Sequence, residues 1–121
     1  MSDLQLIDKE TLLEAFEENE DFLIDTIEKI IQQIPDYNQH LKDACAEKNV
    51  ENLVFHAHTY KGVISNLYGE RLISSLKNLE EQAASFPTDI IDQVISESDL
   101  FVSELTKLID QLKKIVSQQS A

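Results

Sequence analysis

The sequence predicts an all-α protein: an antiparallel up-down-up-down four-helix bundle with a short N-terminal helix that caps one end. The 121 residues include only two glycines and two prolines, and residues with good helix propensity dominate the rest. Apolar residues recur at the three-four spacing of amphipathic helices along most of the chain. This pattern divides into four long segments with short connections, which pack most simply as an up-down bundle.

The length and composition indicate one domain, residues 1–121. A chain of this size can bury a core without metal ions or disulfide bonds. The only cysteine, Cys45, cannot form an internal disulfide, and we expect it to be a small buried residue on a helix. The sequence shows neither a signal-peptide pattern nor an apolar run of about 18 residues. We therefore expect a cytoplasmic protein.

The formal net charge of −13 argues against nucleic-acid binding, which depends on clustered Lys and Arg. The charge is unevenly distributed. Residues 1–35 hold ten acidic and two basic residues, residues 36–86 seven and five, and residues 87–121 six and three. The central segment is therefore nearly neutral within an acidic protein. Acidic residues that simply keep the protein soluble account for the N-terminal excess.

The first two helices are predicted from caps and apolar spacing. Asp8 is a suitable N-cap for a short helix to about Glu17. Asn19 is a suitable N-cap for a second helix, which we expect to reach about Glu47 as one bent helix. Pro35 interrupts it, so two helices joined near Pro35 remain an alternative. The apolar positions are Leu12, Leu13 and Phe16 in the first helix and Leu23, Ile27, Ile30, Ile34, Leu41 and Ala44 in the second.

Three further helices follow. Asn49 should cap the third, and Gly69 should end it or begin the fourth. Pro87 should close the fourth and Thr88 cap the fifth, whose last residues, 117–121, should fray. The inner positions are Leu72, Leu76, Leu79 and Ala83 in the fourth helix, and Ile91, Val94, Ile95, Phe101, Leu105, Leu108, Leu112 and Ile115 in the fifth.

The third helix, which we expect to include residues 56–69, carries two distinct stripes on a helical wheel. The core-facing stripe consists of Leu53, Ala57, Tyr60, Ile64 and Leu67, and the solvent-facing stripe of Val54, His58, Lys61, Gly62 and Ser65. A glycine inside a helix costs about 1 kcal/mol relative to alanine. Gly62 therefore needs another reason, and we expect it to leave the surface beside His58 open to another protein.

The other histidines suggest no metal or catalytic site. His56 and His58 point about 200° apart on a helix, so they cannot share one ion. His56 lies about 60° from the core line, which predicts a boundary residue bonded to a neighbouring helix. His40 has no supporting pattern. Val54 and Phe55 would be partly exposed near the site, where they could help to dock a partner.

At residues 58–62, His-Thr-Tyr-Lys-Gly, the chain resembles the histidine phosphotransfer (HPt) domain family. The family pattern is His-x-Leu-Lys-Gly with a second glycine seven residues later, and Gly69 occupies that later position. Leu79 and Glu80 match a Leu-Glu pair that the family often has on the next helix. Tyr60 stands where the family usually has leucine. The resemblance covers about residues 8–116.

This resemblance implies a phosphocarrier in a two-component phosphorelay. His58 would accept a phosphoryl group from one receiver-domain aspartate and pass it to another, Lys61 would offset phosphoryl charge, and Gly62 would give the partner access. Glu80 would orient His58 or Lys61 from the next helix.

The partners implied by the resemblance are response-regulator receiver domains, with a hybrid sensor histidine kinase as a further candidate, but neither nucleic acid nor a membrane. We expect a monomer without cofactors, with Mg²⁺ bound by the receiver. The sequence has no glycine-rich phosphate loop, so we expect no autokinase activity. The alternative is a helical adaptor that binds a signalling partner without carrying phosphate.

Overall fold

The computed structural model describes residues 5–17 and 19–119, and all of the regular structure in these residues is helical. The elements are α1 (Lys9–Ala15), α2 (Glu20–Ala46), α3 (Val50–Ser65), α4 (Glu70–Gln82), a 3-10 turn (Ala83–Ser85) and α5 (Thr88–Gln119). Helix α2 packs on α3 and α5, and α4 packs on the same two helices. Because the connections are short, successive helices run antiparallel. The predicted bundle is confirmed.

The short helix α1 closes one end of the bundle, as predicted. The residues before it are hydrogen-bonded to the connection between α3 and α4. The backbone N–H of Asp8 donates to the carbonyl of Tyr68 at 3.0 Å, and that of Arg71 donates to the carbonyl of Gln5 at 3.1 Å. Leu12 is completely buried beneath α1. These contacts fix the end of α3 relative to the start of α4.

Two of the predicted caps form and two do not. The side chains of Asp8 and Asn49 each accept the N–H of the third residue of their helix, at 3.2 and 3.0 Å. Asn19 precedes α2, but its amide instead donates to the carbonyl of Glu17 at 3.2 Å. Thr88 is already the first residue of α5, and the carbonyl of Pro87 accepts the first backbone hydrogen bonds there.

Helix α2 continues through Pro35, which decides between the two alternatives in favour of one helix. Its predicted apolar positions are all buried, as is Cys45. Along α5 the predicted inner residues are buried or half-buried, with one exception. Ile115 is 42% exposed, so its predicted burial is wrong. Helix α5 has 32 residues and α4 has 13, so α4 cannot cover the whole length of α5.

Several helix ends differ from the prediction. Helix α1 ends at Ala15, and α3 ends at Ser65 instead of continuing to Gly69. Gly69 precedes α4 as its N-cap, which confirms the second of the two predicted alternatives for this residue. The apolar phase misled the prediction for α3, because Leu67 is buried from the turn that follows the helix. Helix α5 extends to Gln119, and residues 120–121, the last of those expected to fray, lie outside the described part.

Candidate functional site

The two stripes predicted for α3 are present. All five residues of the core-facing stripe are completely buried. On the opposite side, the His58 side chain is 74% exposed and Gly62 is exposed as well. Lys61 departs from the pattern, since only 23% of its side chain is accessible. The solvent-facing side of α3 thus carries an exposed histidine and, one turn away, a lysine whose side chain packs against the protein.

Glu80 on α4 holds both of these side chains. The Nδ1–H of His58 donates to Oε1 of Glu80 at 2.9 Å, and the Lys61 ammonium donates to Oε2 of the same carboxylate at 2.7 Å. The Glu80 side chain is only 16% exposed, so the lysine partly compensates a carboxylate that has lost much of its water. This ion pair explains why Lys61 lies flat on the surface.

The contact with Glu80 determines the chemistry of the imidazole. An ionised carboxylate only accepts hydrogen bonds, so Nδ1 of His58 must carry a proton. In the neutral ring, Nε2 then keeps its lone pair. No side chain among the described residues is hydrogen-bonded to Nε2. The site therefore presents one nucleophilic nitrogen on an exposed ring of fixed tautomer.

The two glycines of the motif have different surroundings. A Cβ added to Gly62 would meet no heavy atom within 4 Å, so this position is open. A Cβ added to Gly69 would lie 2.7 Å from Cε1 of Phe101 and 2.8 Å from Cγ2 of Ile64. Gly62 leaves space on the surface one turn from His58, whereas Gly69 allows close packing inside the bundle.

Tyr60, which replaces a leucine of the motif, belongs to a polar network within the core. Its hydroxyl shares a 2.6 Å hydrogen bond with that of Ser98 on α5, and its ring stacks on Tyr37 with centroids 5.0 Å apart. The Ser98 hydroxyl also lies within hydrogen-bonding distance of the Val94 carbonyl and the Asn38 side chain. Burial raises the pKa of the Tyr60 phenol above its ordinary value, so the hydroxyl stays protonated. The tyrosine hydroxyl thus has a buried partner, Ser98, on α5.

His56 contacts a neighbouring helix, but not in the predicted way. Its ring lies against that of His40 on α2, with centroids 4.7 Å apart, and it forms no hydrogen bond with the described residues. Burial, followed by the charge of His40, lowers the pKa of His56 from its ordinary value. Phe55, which is 62% exposed, contacts His56 edge-on, and Val54 is 36% exposed. These apolar side chains lie on the same helix as His58.

Within residues 5–17 and 19–119, no group of three or more His, Cys, Asp or Glu side chains is arranged to hold a metal ion. No described helix is long and apolar enough to cross a membrane.

Comparisons with known proteins support the fold. No protein-family model matches the chain, and no curated protein sequence matches it significantly. Among solved structures, it is similar to histidine-containing phosphotransfer protein B (HptB) from Pseudomonas aeruginosa PAO1, with a TM-score of 0.80 and 21% sequence identity. The match covers 88% of this chain and 96% of HptB. The chain therefore has an HPt-like fold.

Proposed function

We propose that this protein relays a phosphoryl group between receiver-domain aspartates in a two-component phosphorelay, with His58 as the carrier. The observation that carries the proposal is the contact between Glu80 and Nδ1 of His58, which leaves Nε2 as a free nucleophile on an exposed ring. The HPt-like fold supports this function. The partial match to the family motif at residues 58–62 adds to that support.

In the forward step, Nε2 of His58 attacks the phosphorus of an aspartyl phosphate on the receiver. The new N–P bond forms as the P–O bond to the aspartate breaks, and the aspartate leaves with the bonding electrons as a carboxylate. The proton on Nδ1 stays in place, so the phosphorylated ring is cationic. Transfer to a second receiver is the same step in reverse, with an aspartate oxygen as the nucleophile.

Glu80 and Lys61 offset the two opposite charges of the phosphorylated histidine. The Glu80 carboxylate, 2.9 Å from Nδ1, offsets the positive charge of the phosphorylated ring. Lys61 lies one turn along α3 from His58 and offsets the negative charge of the phosphoryl oxygens. Because Glu80 binds both residues, loss of its carboxylate would release the ring and the ammonium together.

The partner must supply the phosphoryl group and the remaining catalytic groups. The chain has no glycine-rich loop to hold ATP. We propose that the receiver brings its own Mg²⁺ and approaches over Gly62, where no side chain obstructs it. Phe55 and Val54, both exposed on α3, would add apolar contact area beside the reacting ring.

A transfer assay tests this function. A panel of receiver domains is charged with acetyl phosphate and mixed with the wild-type protein, and the phosphate that the protein acquires is tested for acid lability and stability in base. We expect at least one receiver to transfer phosphate to the wild type and none to His58→Gln. His56→Gln and His40→Gln are matched controls that should be labelled normally, and wild type with ATP and Mg²⁺ alone should gain no phosphate.

Two outcomes would contradict the proposal. Normal labelling of His58→Gln would exclude His58 as the acceptor. Binding of a receiver without any transfer would instead support the helical adaptor.

A further inference from the structure

A concave site that does not include His58 or Glu80 lies at one end of the bundle. It is a cleft of about 450 Å³ between the C-terminal end of α2 and the start of α5. This volume falls within the range of small-molecule sites. The residues that line it include Lys42, Cys45, Lys48, Phe86, Ile91 and Asp92.

The inner wall of the cleft is apolar. Ile91 is 4% exposed and Cys45 is 8% exposed, and the half-buried Phe86 ring completes the surface. The thiol of Cys45 lies 3.7 Å from the Phe86 carbonyl, which fixes the turn against α2. An aliphatic or aromatic ligand body would find a preformed apolar surface here.

The charged groups of the cleft favour an anion. Lys42 and Lys48 form no ion pair with any described residue, and Asp92 is the one acidic residue among those that line the cleft. Two lysines and one aspartate make the cleft net positive in a protein of net charge −13. An anionic ligand is therefore complementary to this site, although it is not to the protein as a whole.

Lys48 has a left-handed backbone conformation that glycine would adopt with less strain. The N–H of Asn49 donates to the carbonyl of Ala44, and that of Lys48 to the carbonyl of Cys45, which is the Schellman pattern at the end of α2. Lys48 has φ of 54° in this motif, a conformation that favours glycine. Its ammonium lies 5.2 Å from the centroid of the Phe86 ring, at the cleft. Helix termination alone would favour glycine here, so we attribute the lysine to the contact of its side chain with Phe86 at the cleft.

We propose that this cleft binds an anionic amphiphile, of which a medium-chain carboxylate is the simplest example. The apolar body lies on Phe86 and Ile91, and the ammonium groups of Lys42 and Lys48 bind the anionic group. This inference is independent of the proposed phosphotransfer, because none of the cleft residues takes part in it.

Decanoate below its micellar concentration is the probe, with calorimetry for affinity and amide NMR shifts for location. Lys42→Gln and Lys48→Gly should each weaken binding about tenfold, as expected for loss of a charge-assisted hydrogen bond. Lys48→Gly also relieves the positive φ, so unfolding cannot explain its effect. Asp92→Asn should strengthen binding, and Lys77→Gln, on the exposed surface of α4, should leave it unchanged.

The proposal predicts decanoate-induced shifts at Phe86 and Ile91, with decanol binding much more weakly. It is overturned if decanoate does not bind, if its shifts lie elsewhere, or if decanol binds equally well. Weaker binding by Asp92→Asn would also overturn it, because the ligand would then be cationic. If Lys77→Gln lost as much affinity as Lys42→Gln, the effect would come from the overall charge of the protein. The proposed site would then be overturned.

Discussion

The Glu80 carboxylate on α4 lies 2.9 Å from Nδ1 of His58 on α3, and this contact decides which ring nitrogen is available. A histidine with 74% of its side chain exposed would otherwise exchange between tautomers and ring orientations in water. Helix α4 thus fixes the tautomer and orientation of the ring, which α3 alone does not do. The same carboxylate holds Lys61 at 2.7 Å, so its loss should affect two side chains.

Substitutions at Glu80 should separate charge from hydrogen bonding. Glu80→Gln keeps an oxygen that can accept the Nδ1–H, whereas Glu80→Ala removes both the acceptor and the charge. We expect phosphoryl transfer to slow about tenfold or more in Glu80→Ala, corresponding to at least about 1.4 kcal/mol, and less in Glu80→Gln. Rapid-quench transfer kinetics measure the rates, and ¹⁵N imidazole shifts report the tautomer. Wild-type rates in Glu80→Ala would exclude this positioning role.

At Gly62, stability and transfer should change in opposite directions. The position is inside α3, exposed and free of neighbours, so Gly62→Ala should stabilise the fold by about 0.5–1 kcal/mol. Gly62→Gln should also fold, but its side chain would stand where the receiver approaches His58, and transfer should slow sharply. Thermal unfolding and transfer rates test the two effects. A Gln variant that transfers at the wild-type rate would show that the glycine does not keep the docking surface clear.

The same substitution at Gly69 should have the opposite effect on stability. A Cβ there would lie 2.7 Å from the Phe101 ring and 2.8 Å from Ile64, both completely buried. Gly69→Ala should therefore destabilise the protein by about 1–3 kcal/mol through overpacking. Chemical denaturation of Gly69→Ala and Gly62→Ala provides a matched comparison. Equal stability changes in the two variants would contradict the structural difference between them.

Local patterns predicted some features of the site and could not predict others. The helical wheel correctly placed Tyr60 in the core and His58 on the surface, because both follow from the 3.6-residue period. It could not show that the Tyr60 hydroxyl meets Ser98, which is 38 residues away on α5. The position of a serine on the inner face of a helix does not identify its partner, because the partner depends on how the helices pack.

The roles of Glu80 and Gly69 also depend on packing between helices. Only the family resemblance suggested that Glu80 orients the site, and no spacing rule relates it to His58, 22 residues earlier. For Gly69 the sequence predicts only a helix boundary. Its packing against Phe101 became visible only in the folded bundle. The end of α3 was missed for a related reason, since Leu67 keeps the apolar phase although it lies in a turn.

His56 should make stability depend on pH. Its pKa is lower in the folded protein than the ordinary value of 6.5, through burial first and His40 second. The unfolded chain therefore takes up this proton first as pH falls. The contribution of neutral His56 is complete above about pH 6.5 and is lost progressively below it. Denaturation between about pH 7 and 5 should give a flatter profile for His56→Gln than for wild type.

His40→Gln is the control for this prediction. This substitution removes the charge of His40, the second cause of the lowered pKa of His56, and leaves burial in place. Its stability profile should therefore lie between those of wild type and His56→Gln. Parallel profiles for all three proteins would show that the contact between the two rings has no energetic consequence.

The position of the phosphate tests the account most directly. Wild-type protein with ¹⁵N-labelled histidine is phosphorylated by its receiver and examined by ³¹P and ¹⁵N NMR. We predict one phosphorus coupled to Nε2 of His58, while Nδ1 retains its proton beside Glu80. Phosphate on Nδ1 of His58, or on any other residue, would contradict the account.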